Sequence, residues 1–413
     1  MASPIQTLRS VVRFGRIETD PVERRLGRAA SVEDLRRIAR RRLPGGVFDY
    51  IDGGAEDERT LSDNQAAYAR TSFVPRVLRG VADVDASARV LGGPLAYPLV
   101  LAPTGFTRIA DPDGELAVAR AAERAGLPYT LSTLSTRSIE EVRSASGGRL
   151  WFQVYAWRDR GLVEEMVERA AAARYEALVL TVDTAVLGRR ERDVRRGFSL
   201  PPSIGPRTLL DGAVHPAWTW SFVRSEPIRF ANVVGRDVGD GASPVTLSDY
   251  INSQFDPGLS WADVEWLRSV WPGAIVIKGI QSVDDARLAA DAGVEAIALS
   301  NHGGRQLDGA PATFDLLAPV VEAVGGRIEI ICDGGIRRGS DIVKAVAAGA
   351  TAAMAGRAYL YALGAAGERG VDRVLGWFHA DMLRTMALLG CSTVADLHPG
   401  LLERPASSTR GDA

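Results

Sequence analysis

The chain has 413 residues, which suits one large domain or two to three ordinary ones. Its formal net charge is −2 at pH 7, so composition gives no indication of nucleic-acid binding. Two cysteines are too few for a disulfide framework or a zinc cluster, which favours a reducing cytoplasm. No apolar run is long enough to span a membrane, and the first residues show no secretory signal.

The N-terminal part of the chain predicts helices. Residues 1–30 are interpreted as an extension, followed by a helix over "SVEDLRRIARRR", in which Ser31 and Asp34 form a capped start. From about 96 to 390, short apolar runs alternate with helix-like segments. The apolar runs lie at 98–106, 128–135, 149–156, 177–184, 274–280, 296–303, 328–335 and 352–358.

These runs are almost continuously apolar, as strands of a parallel sheet buried on both faces must be. Eight strand–helix units favour an α/β fold that closes into a (β/α)8 TIM barrel, with an open doubly wound sheet as the alternative. A long insertion at about 198–257 follows strand four, and such loops are usually functional or mobile. The tail 401–413 is expected to be disordered, which leaves 31–400 as a single domain.

A phosphate site is predicted where the last two strands end. The sequences "DGGIRRG" and "AGR" supply glycines, which let the backbone approach an anion, and arginines, which add charge. A helix that opens at "GSDI" presents an N-terminus, which favours anions. Loops after strands seven and eight commonly hold phosphate in this fold, although the glycines could also serve only tight turns.

The sixth run leads into "LSNHGGRQLDG", which holds His302, one of four histidines in the chain. Asp183, at the end of strand four, could orient the ring and stabilise its protonated form. Arg190 and Arg305 could bind a carboxylate, or each could pair with a structural acid. Lys278 ends the apolar "AIVIKG" and would need an anionic partner: a cofactor, a substrate held as a Schiff base, or a neighbouring carboxylate. From the residues alone, catalysis by His302 stays an open question.

Taken together, these segments resemble the FMN-dependent L-2-hydroxy-acid oxidase and dehydrogenase family over roughly 31–400. Within that family the likeness is greatest to the quinone-linked L-lactate dehydrogenases of bacteria. The most specific motif is "SNHGGRQLDG". The other matching segments are, in chain order, "FDYIDGGAEDERTL", "APTGFTRIADPDGE", "TLSTLST", "FQVY", "LTVDTAVLGRRERD", "VIKGI", "DGGIRRGSDI" and "GRAYLY".

The resemblance implies a role for each matching residue. Catalytic roles fall on His302 as the base, Asp183 as its partner, Arg305 and Arg190 at the substrate carboxylate, Tyr50 and Tyr155 at the substrate, and Lys278 beside flavin N1 and O2. Positions that would line the flavin are Pro103, Thr104, Gly105, Ser132, Gln153, Thr181, Lys278 and Ser300. Ribityl and phosphate contacts would come from Asp333, Gly335, Arg337, Gly356 and Arg357.

The activity implied by the resemblance is oxidation of an L-2-hydroxy acid to the 2-oxo acid, with L-lactate as the favoured substrate. Electrons would pass from FMN to a quinone or another acceptor. Leu134 stands where plant glycolate oxidases have tryptophan, and Gly105 where they have alanine, so glycolate specificity does not carry over. Ala185 stands where many relatives have proline. The alternatives are an oxygen-using glycolate or mandelate type oxidase, a Lys278-dependent aldolase, and a non-catalytic FMN-binding protein.

Assembly and location are expectations of the same kind. A homo-oligomer, specifically a tetramer, is expected in the cytoplasm. The insertion lies where some membrane-bound relatives carry a membrane-contacting segment, and its "AWTWSFV" could dip into a bilayer interface at the inner face of the membrane. A mobile lid or an oligomer contact is the favoured interpretation of the insertion.

Overall fold

The computed structural model describes residues 18–196, 205–233 and 253–403. The predictions for the N-terminal extension, the insertion and the tail fall partly outside the described residues, at 1–17, 197–204, 234–252 and 404–413. In the described N-terminal part, the helices are α1 (Pro21–Leu26), α2 (Val32–Arg42), α3 (Gly45–Asp52) and α4 (Arg59–Arg70). Helix α2 has the predicted cap, because the Ser31 hydroxyl accepts a hydrogen bond from the Asp34 amide at 3.2 Å.

The predicted TIM barrel is confirmed, because eight parallel strands close on themselves in the order β10-β11-β4-β5-β6-β7-β8-β9. Three short strands precede the barrel: β1 (Ser72–Phe73), β2 (Ala88–Val90) and β3 (Gly93–Leu95). The barrel strands are β4 (Leu99–Leu101), β5 (Tyr129–Ser132), β6 (Leu150–Val154), β7 (Ala177–Thr181), β8 (Ala274–Ile280), β9 (Ala296–Leu299), β10 (Glu329–Asp333) and β11 (Ala352–Ala355). Strand β12 (Leu402–Glu403) pairs antiparallel with β1.

Helices follow the strands along the chain; most cover the outside of the barrel, whereas α8, α9 and α10 lie at its C-terminal end. They are α5 (Gly114–Arg124), α6 (Ile139–Ala145), α7 (Arg160–Ala172), α8 (Glu191–Arg196), α9 (Pro206–Val214), α10 (Pro216–Arg224), α11 (Ala262–Val270), α12 (Val283–Asp291), α13 (Thr313–Val324), α14 (Gly339–Ala347), α15 (Arg357–Ala366) and α16 (Glu368–Leu389). Most strands end earlier than the predicted apolar runs, so the polar residues that follow them lie in loops at one end of the barrel.

The core divides into two layers because successive strand residues point to opposite faces. One layer packs the strands against the helices, and the other fills the barrel with residues such as Val100, Trp151 and Met354. The β2–β3 hairpin belongs to the inner layer through Val90 and Leu95, so it closes the N-terminal end of the barrel. The filled interior leaves the opposite end for a ligand.

The described part of the insertion packs on that opposite end. Trp218 of α10 donates from its indole Nε1 to the Ile109 carbonyl at 2.8 Å. Asp211 of α9 accepts a hydrogen bond from the Gly45 amide at 2.7 Å, which ties α9 to the start of α3. This part of the insertion is therefore helical and attached to the barrel. Among the described helices, none has both the length and the hydrophobicity that crossing a bilayer requires.

Candidate active site

A cavity of about 330 Å³ opens among the loops at the C-terminal ends of the strands, within the range of small-molecule sites. It brings most of the predicted site residues together. The residues that line it are Tyr50, Pro103, Thr104, Gly105, Tyr155, Arg190, Lys278, His302, Arg305, Asp333, Gly335, Arg337, Gly356 and Arg357. The predicted residues that do not line it are Ser132, Gln153, Thr181, Asp183 and Ser300, and their side chains are buried.

His302 reaches the cavity through a turn with an uncommon backbone. His302, Gly303 and Gly304 all have positive φ, at 57°, 66° and 73°. A Cβ on Gly304 would lie 2.5 Å from the backbone nitrogen of Leu61, so a larger residue does not fit there. The backbone amide of His302 donates to the Ser300 hydroxyl at 3.1 Å, which helps to hold the turn. A non-glycine residue in this conformation is a feature that active sites often contain.

The His302 ring pairs with Asp183 as predicted. Nδ1 lies 2.9 Å from Oδ1 of Asp183, whose side chain is 1% exposed, whereas the histidine side chain is 24% exposed. With Nδ1 engaged, Nε2 is the ring nitrogen left for a ligand. Gly279, with φ 116°, allows this approach, because a Cβ there would lie 2.9 Å from the backbone nitrogen of Asp183.

Burial and charge set the protonation states of this pair. Burial lowers the pKa of His302 below its ordinary value, although the Asp183 carboxylate acts in the opposite direction. Burial by itself raises the pKa of Asp183, but the His302 ring and the Lys278 cation outweigh it and hold the pKa below its ordinary value. Near neutral pH, His302 is therefore a neutral ring beside a carboxylate, which is the state that a proton acceptor needs.

The two predicted carboxylate-binding arginines both lie close to the Tyr50 ring. The guanidinium carbons of Arg305 and Arg190 lie 5.0 and 5.9 Å from the centroid of the Tyr50 ring. Arg305 donates to the carbonyls of Tyr50 and Gly53 at 2.6 and 3.1 Å. The Nε of Arg190 is buried and has no hydrogen-bond partner among the described residues. This arrangement leaves donor capacity for an incoming carboxylate.

Asp193 is a cavity residue that the sequence reasoning missed. Burial raises its pKa, whereas the Arg305 and Arg190 cations lower it. Burial also lowers the pKa of Arg305, and the like charge of Arg190 adds to this effect, but a guanidinium stays charged in proteins. Asp193 therefore adds a carboxylate to the otherwise cationic end of the cavity. Its only sequence signal is its place three residues after Arg190.

The sequence leaves three possible anionic partners for Lys278: a cofactor, a substrate or a neighbouring carboxylate. The structure shows a neighbouring carboxylate. Its Nζ donates to the Ser300 hydroxyl at 2.9 Å and lies 3.3 Å from Oδ2 of Asp333. The same hydroxyl donates to Asp333 at 2.8 Å, so the three side chains form one buried network. An ammonium in contact with a carboxylate is stabilised in its charged form. This geometry gives no support to a Schiff base, and Lys278 still lines the cavity.

The predicted phosphate site needs one correction. Helix α14, which begins at "GSDI", does not offer its N-terminus to the cavity. The amides of Arg337 and Arg338 both donate to Asp341 at 2.9 Å, and the amide of Gly339 donates to Asp381 at 3.1 Å. The chain's own carboxylates therefore satisfy these donors.

The end of strand β11 is the better phosphate candidate. Gly356 and Arg357 line the cavity where α15 begins, so this helix presents its N-terminus there. The Arg357 guanidinium donates to the carbonyls of Ile51, Gly53 and Gly303 at 2.7–3.0 Å, which fixes its charge beside the cavity. Gly335 is required for a different reason: a Cβ there would lie 2.1 Å from the carbonyl oxygen of Asn64.

An independent observation that fits a flavin comes from Gln153, which is buried and does not itself line the cavity. The Gln153 amide Nε2 is buried without a hydrogen-bond partner among the described residues. Its Oε1 is occupied, since it accepts from the Ser132 hydroxyl at 3.1 Å and from the Thr133 amide at 3.2 Å. An unpaired buried donor costs about 1–3 kcal/mol, so a ligand acceptor at Nε2 would offset that cost. A polar heterocycle bearing a phosphate meets both this donor and the cations of the cavity.

Two aromatic residues of the insertion, Phe230 and Phe255, also line the cavity, and sequence reasoning missed them. The Phe230 ring lies 5.4 Å from that of Phe106, and the Phe255 ring lies 5.0 Å from that of Tyr155. The buried Asn232 side chain fixes the first of these segments by accepting a hydrogen bond from the first amide of α6 at 3.0 Å. These residues form an apolar wall of the cavity.

Comparisons with known proteins agree with this site. The model of the FMN-dependent dehydrogenase family matches residues 39–404. A putative L-lactate dehydrogenase of Mycobacterium tuberculosis is 46% identical, covering 96% of this chain and 94% of the relative. Glycolate oxidase 1 of Oryza sativa is 42% identical, covering 90% and 95%. The solved structure of the monotopic membrane protein (S)-mandelate dehydrogenase has a TM-score of 0.88 at 41% identity, covering 92% and 100%.

The barrel, its cationic cavity and the histidine–aspartate pair together fit an oxidoreductase that uses FMN as its cofactor. The chain belongs to the FMN-dependent dehydrogenase family, as its match over residues 39–404 shows. It is an enzyme that uses FMN to oxidise a 2-hydroxy acid. The resemblance found in the sequence is thereby confirmed at the level of family, fold and cofactor.

The electrostatics of His302 predict a pH profile. If His302 must be neutral to accept a proton, kcat/KM with L-lactate should fall only when the pH drops below 6.5, the ordinary pKa of histidine, because burial lowers the pKa of His302.

In Asp183→Asn the His302 ring loses its anionic partner, so the acid limb of the pH profile should move to lower pH. We expect kcat to fall by about 10²–10⁴-fold, because the protonated ring is no longer stabilised. An unchanged acid limb in Asp183→Asn would show that this carboxylate does not control His302.

Proposed function

We propose that the chain oxidises L-lactate, with His302 as the base. The observation that carries this proposal is the arrangement of His302 Nε2, supported by Asp183, in one cavity with the unpartnered Nε of Arg190. A 2-hydroxy acid has a carboxylate for the arginines and a hydroxyl-bearing carbon one bond away. The relatives include a protein named as a lactate dehydrogenase, one named as a glycolate oxidase and one named as a mandelate dehydrogenase, which supports this substrate class.

The roles of the side chains follow from their positions. Arg190 and Arg305, which both lie close to the Tyr50 ring, bind and orient the substrate carboxylate. The Nε2 atom of His302 accepts a proton from the substrate, and Asp183 offsets the positive charge that the ring gains. Tyr155 lines the cavity beside these groups and positions the substrate.

Other residues of the cavity and beside it would hold the cofactor. Lys278 and the buried amide of Gln153 would hold the flavin ring, and the start of α15 with Arg337 and Arg357 would hold the phosphate. The other predicted flavin positions, among them Thr181 and Ser300, lie buried below these groups. Bound FMN supplies an acceptor for two electrons from the substrate.

We further propose that 31–400 forms a single FMN-binding domain in a homo-oligomer, and that a quinone takes the electrons. Exposed apolar side chains on α10 and on the loop before α8 support an apolar acceptor or a membrane surface. Trp220 and Val223 are 60% and 72% exposed, and Leu187, a cavity residue, is 45% exposed. Oxygen is the competing acceptor, and comparison of turnover with oxygen and with a soluble quinone separates the two.

The role of His302 is tested by replacing it. His302→Ala should retain FMN, because His302 is placed at the substrate and not among the flavin contacts. Its flavin should be bleached by L-lactate at least about 10³-fold more slowly than that of the wild type under anaerobic conditions. Absorbance at the flavin band measures how much FMN is retained, and stopped-flow recording of the same band measures the rate of bleaching. Reduction at the wild-type rate would refute the assignment.

Substrate size is tested at Leu134, which lines the cavity next to Gly105. A Cβ on Gly105 would lie 3.1 Å from the Cβ of Leu134, so the two residues pack against each other in the cavity wall. Leu134→Trp should fill the space for the substrate side chain and lower kcat/KM for L-mandelate relative to glycolate by about tenfold or more. Leu134→Met is the volume-conserving control. An unchanged ratio in the tryptophan variant would place the substrate side chain elsewhere.

Membrane contact through α10 is tested with vesicles. Trp220→Ser combined with Val223→Ser should abolish co-flotation with vesicles that contain anionic phospholipid, because the apolar surface for burial is lost. Turnover of L-lactate with a soluble acceptor should stay at the wild-type value. Leu288→Ser, which removes a 45% exposed leucine outside the insertion, is the control. If the wild type itself does not float with vesicles, the membrane proposal is wrong.

A further inference from the structure

A buried carboxylate joins three helices beside the substrate-binding arginines. Asp52, the last residue of α3, is 4% exposed. It accepts hydrogen bonds from Arg36 of α2 at 2.5 and 2.8 Å, from Arg192 of α8 at 2.8 Å, and from the Tyr361 hydroxyl of α15 at 2.7 Å. We call Asp52, Arg36, Arg192 and Tyr361 the Asp52 cluster. It lies outside the set of residues that touch the substrate or the cofactor.

Asp52 is charged in this position. Burial by itself raises its pKa, but the hydrogen bonds from Arg36 and Tyr361 and the charge of Arg36 outweigh it and lower the pKa to about 2. A charge that is buried and paired is costly to leave without its partner. The ion pairs of Asp52 therefore hold the helices that supply its partners.

Helix α8 depends on such ion pairs because it has no apolar anchor. It is six residues long, and none of them is buried. Arg192 also pairs with Glu58 and lies 3.8 Å from Asp49, while Arg196 donates to Asp49 at 2.8 Å. All these acids belong to α3 or to the loop that follows it. Electrostatic contacts with this segment therefore fix the position of α8.

The position of α8 matters for the substrate because Arg190 directly precedes it. The Nε of Arg190 has no partner among the described residues, so no hydrogen bond at that atom sets the direction of its guanidinium. Arg305, in contrast, is held directly by the carbonyls of Tyr50 and Gly53 at the end of α3. Arg305 is thus held directly by this segment. The segment holds the chain on both sides of Arg190, because the Glu56 amide donates to the Arg189 carbonyl at 2.9 Å and Arg192 pairs with Asp52.

We propose that the Asp52–Arg192 ion pair is a positioning pair that fixes α8 and so directs Arg190 at the substrate carboxylate. This inference rests on the proposed role of Arg190. Arg36 provides a matched comparison, because it donates to the same carboxylate from α2 and, among the described residues, forms its ion pairs with Asp52 and Glu33 and none with α8. Loss of Arg36 removes an ion pair of Asp52, whereas loss of Arg192 also releases α8.

The experiment compares Arg192→Ala with Arg36→Ala in the full FMN-loaded chain. Arg192→Ala should raise both the KM for L-lactate and the Kd for oxalate by about tenfold, because Arg190 is no longer oriented. The Kd is measured from the change that oxalate causes in the flavin spectrum. Arg36→Ala should lower Tm but leave KM and Kd within about twofold of the wild type. Arg192→Lys, which keeps a cation near Asp52, should restore part of the affinity.

Two results would overturn the positioning role. One is an equal rise in KM and Kd in both alanine variants, which would make the cluster a purely structural support. The other is wild-type KM and Kd in Arg192→Ala. If the wild type is reduced by no 2-hydroxy acid, the proposed function fails, and the Kd for oxalate still decides between the two accounts of Arg192. The oxalate measurement does not depend on turnover, so the two failures are distinguishable.

Discussion

The mouth of the barrel concentrates cations where little water is present, and the structure depends on how their charge is compensated. Buried cations are costly unless they are paired or hydrogen-bonded. Carbonyls at the C-terminal end of α3 compensate two of these cations, because they accept hydrogen bonds from Arg305 and Arg357. Such carbonyls carry the negative end of a helix dipole. Asp333 does the same for Lys278.

This compensation leaves the cavity ready for anions. Partners within the chain hold Arg305, Arg357 and Lys278, so binding of a carboxylate or a phosphate has little need to organise them. His302 is different because it faces the cavity in its neutral form beside Asp183. Cations held by the chain thus share one cavity with a group that can change its protonation state, which suits the proposed oxidation of a 2-hydroxy acid.

Much of the fold and part of the site could be predicted from the sequence. The barrel strands follow from apolar runs that a parallel sheet requires, and the pairing of His302 with Asp183 follows from their places at strand ends. The roles of the remaining residues came from family resemblance and stay predictions. The N-terminus of α14 was misjudged, because its satisfaction by Asp341 and Asp381 depends on side-chain geometry.

Other features had no local sequence signal. Phe230 and Phe255 reach the cavity because the insertion folds back on the barrel, and no periodicity reports such a contact. Asp52 pairs with Arg192, which lies 140 positions away along the chain. Contacts of this kind depend on tertiary packing. They also decide how well Arg190 and Arg305 are held, although Asp52 and Arg192 themselves lie within segments that match the family.

The central claim is that Arg190 and Arg305 receive the substrate carboxylate while His302 faces the reacting carbon. A crystal structure of the FMN-loaded protein with bound pyruvate tests this most directly. We expect the pyruvate carboxylate within hydrogen-bond distance of the Nε of Arg190 and of the Arg305 guanidinium, with the 2-oxo oxygen facing Nε2 of His302. A carboxylate bound at Arg337 or elsewhere in the cavity, with His302 turned away from the ligand, would contradict the account.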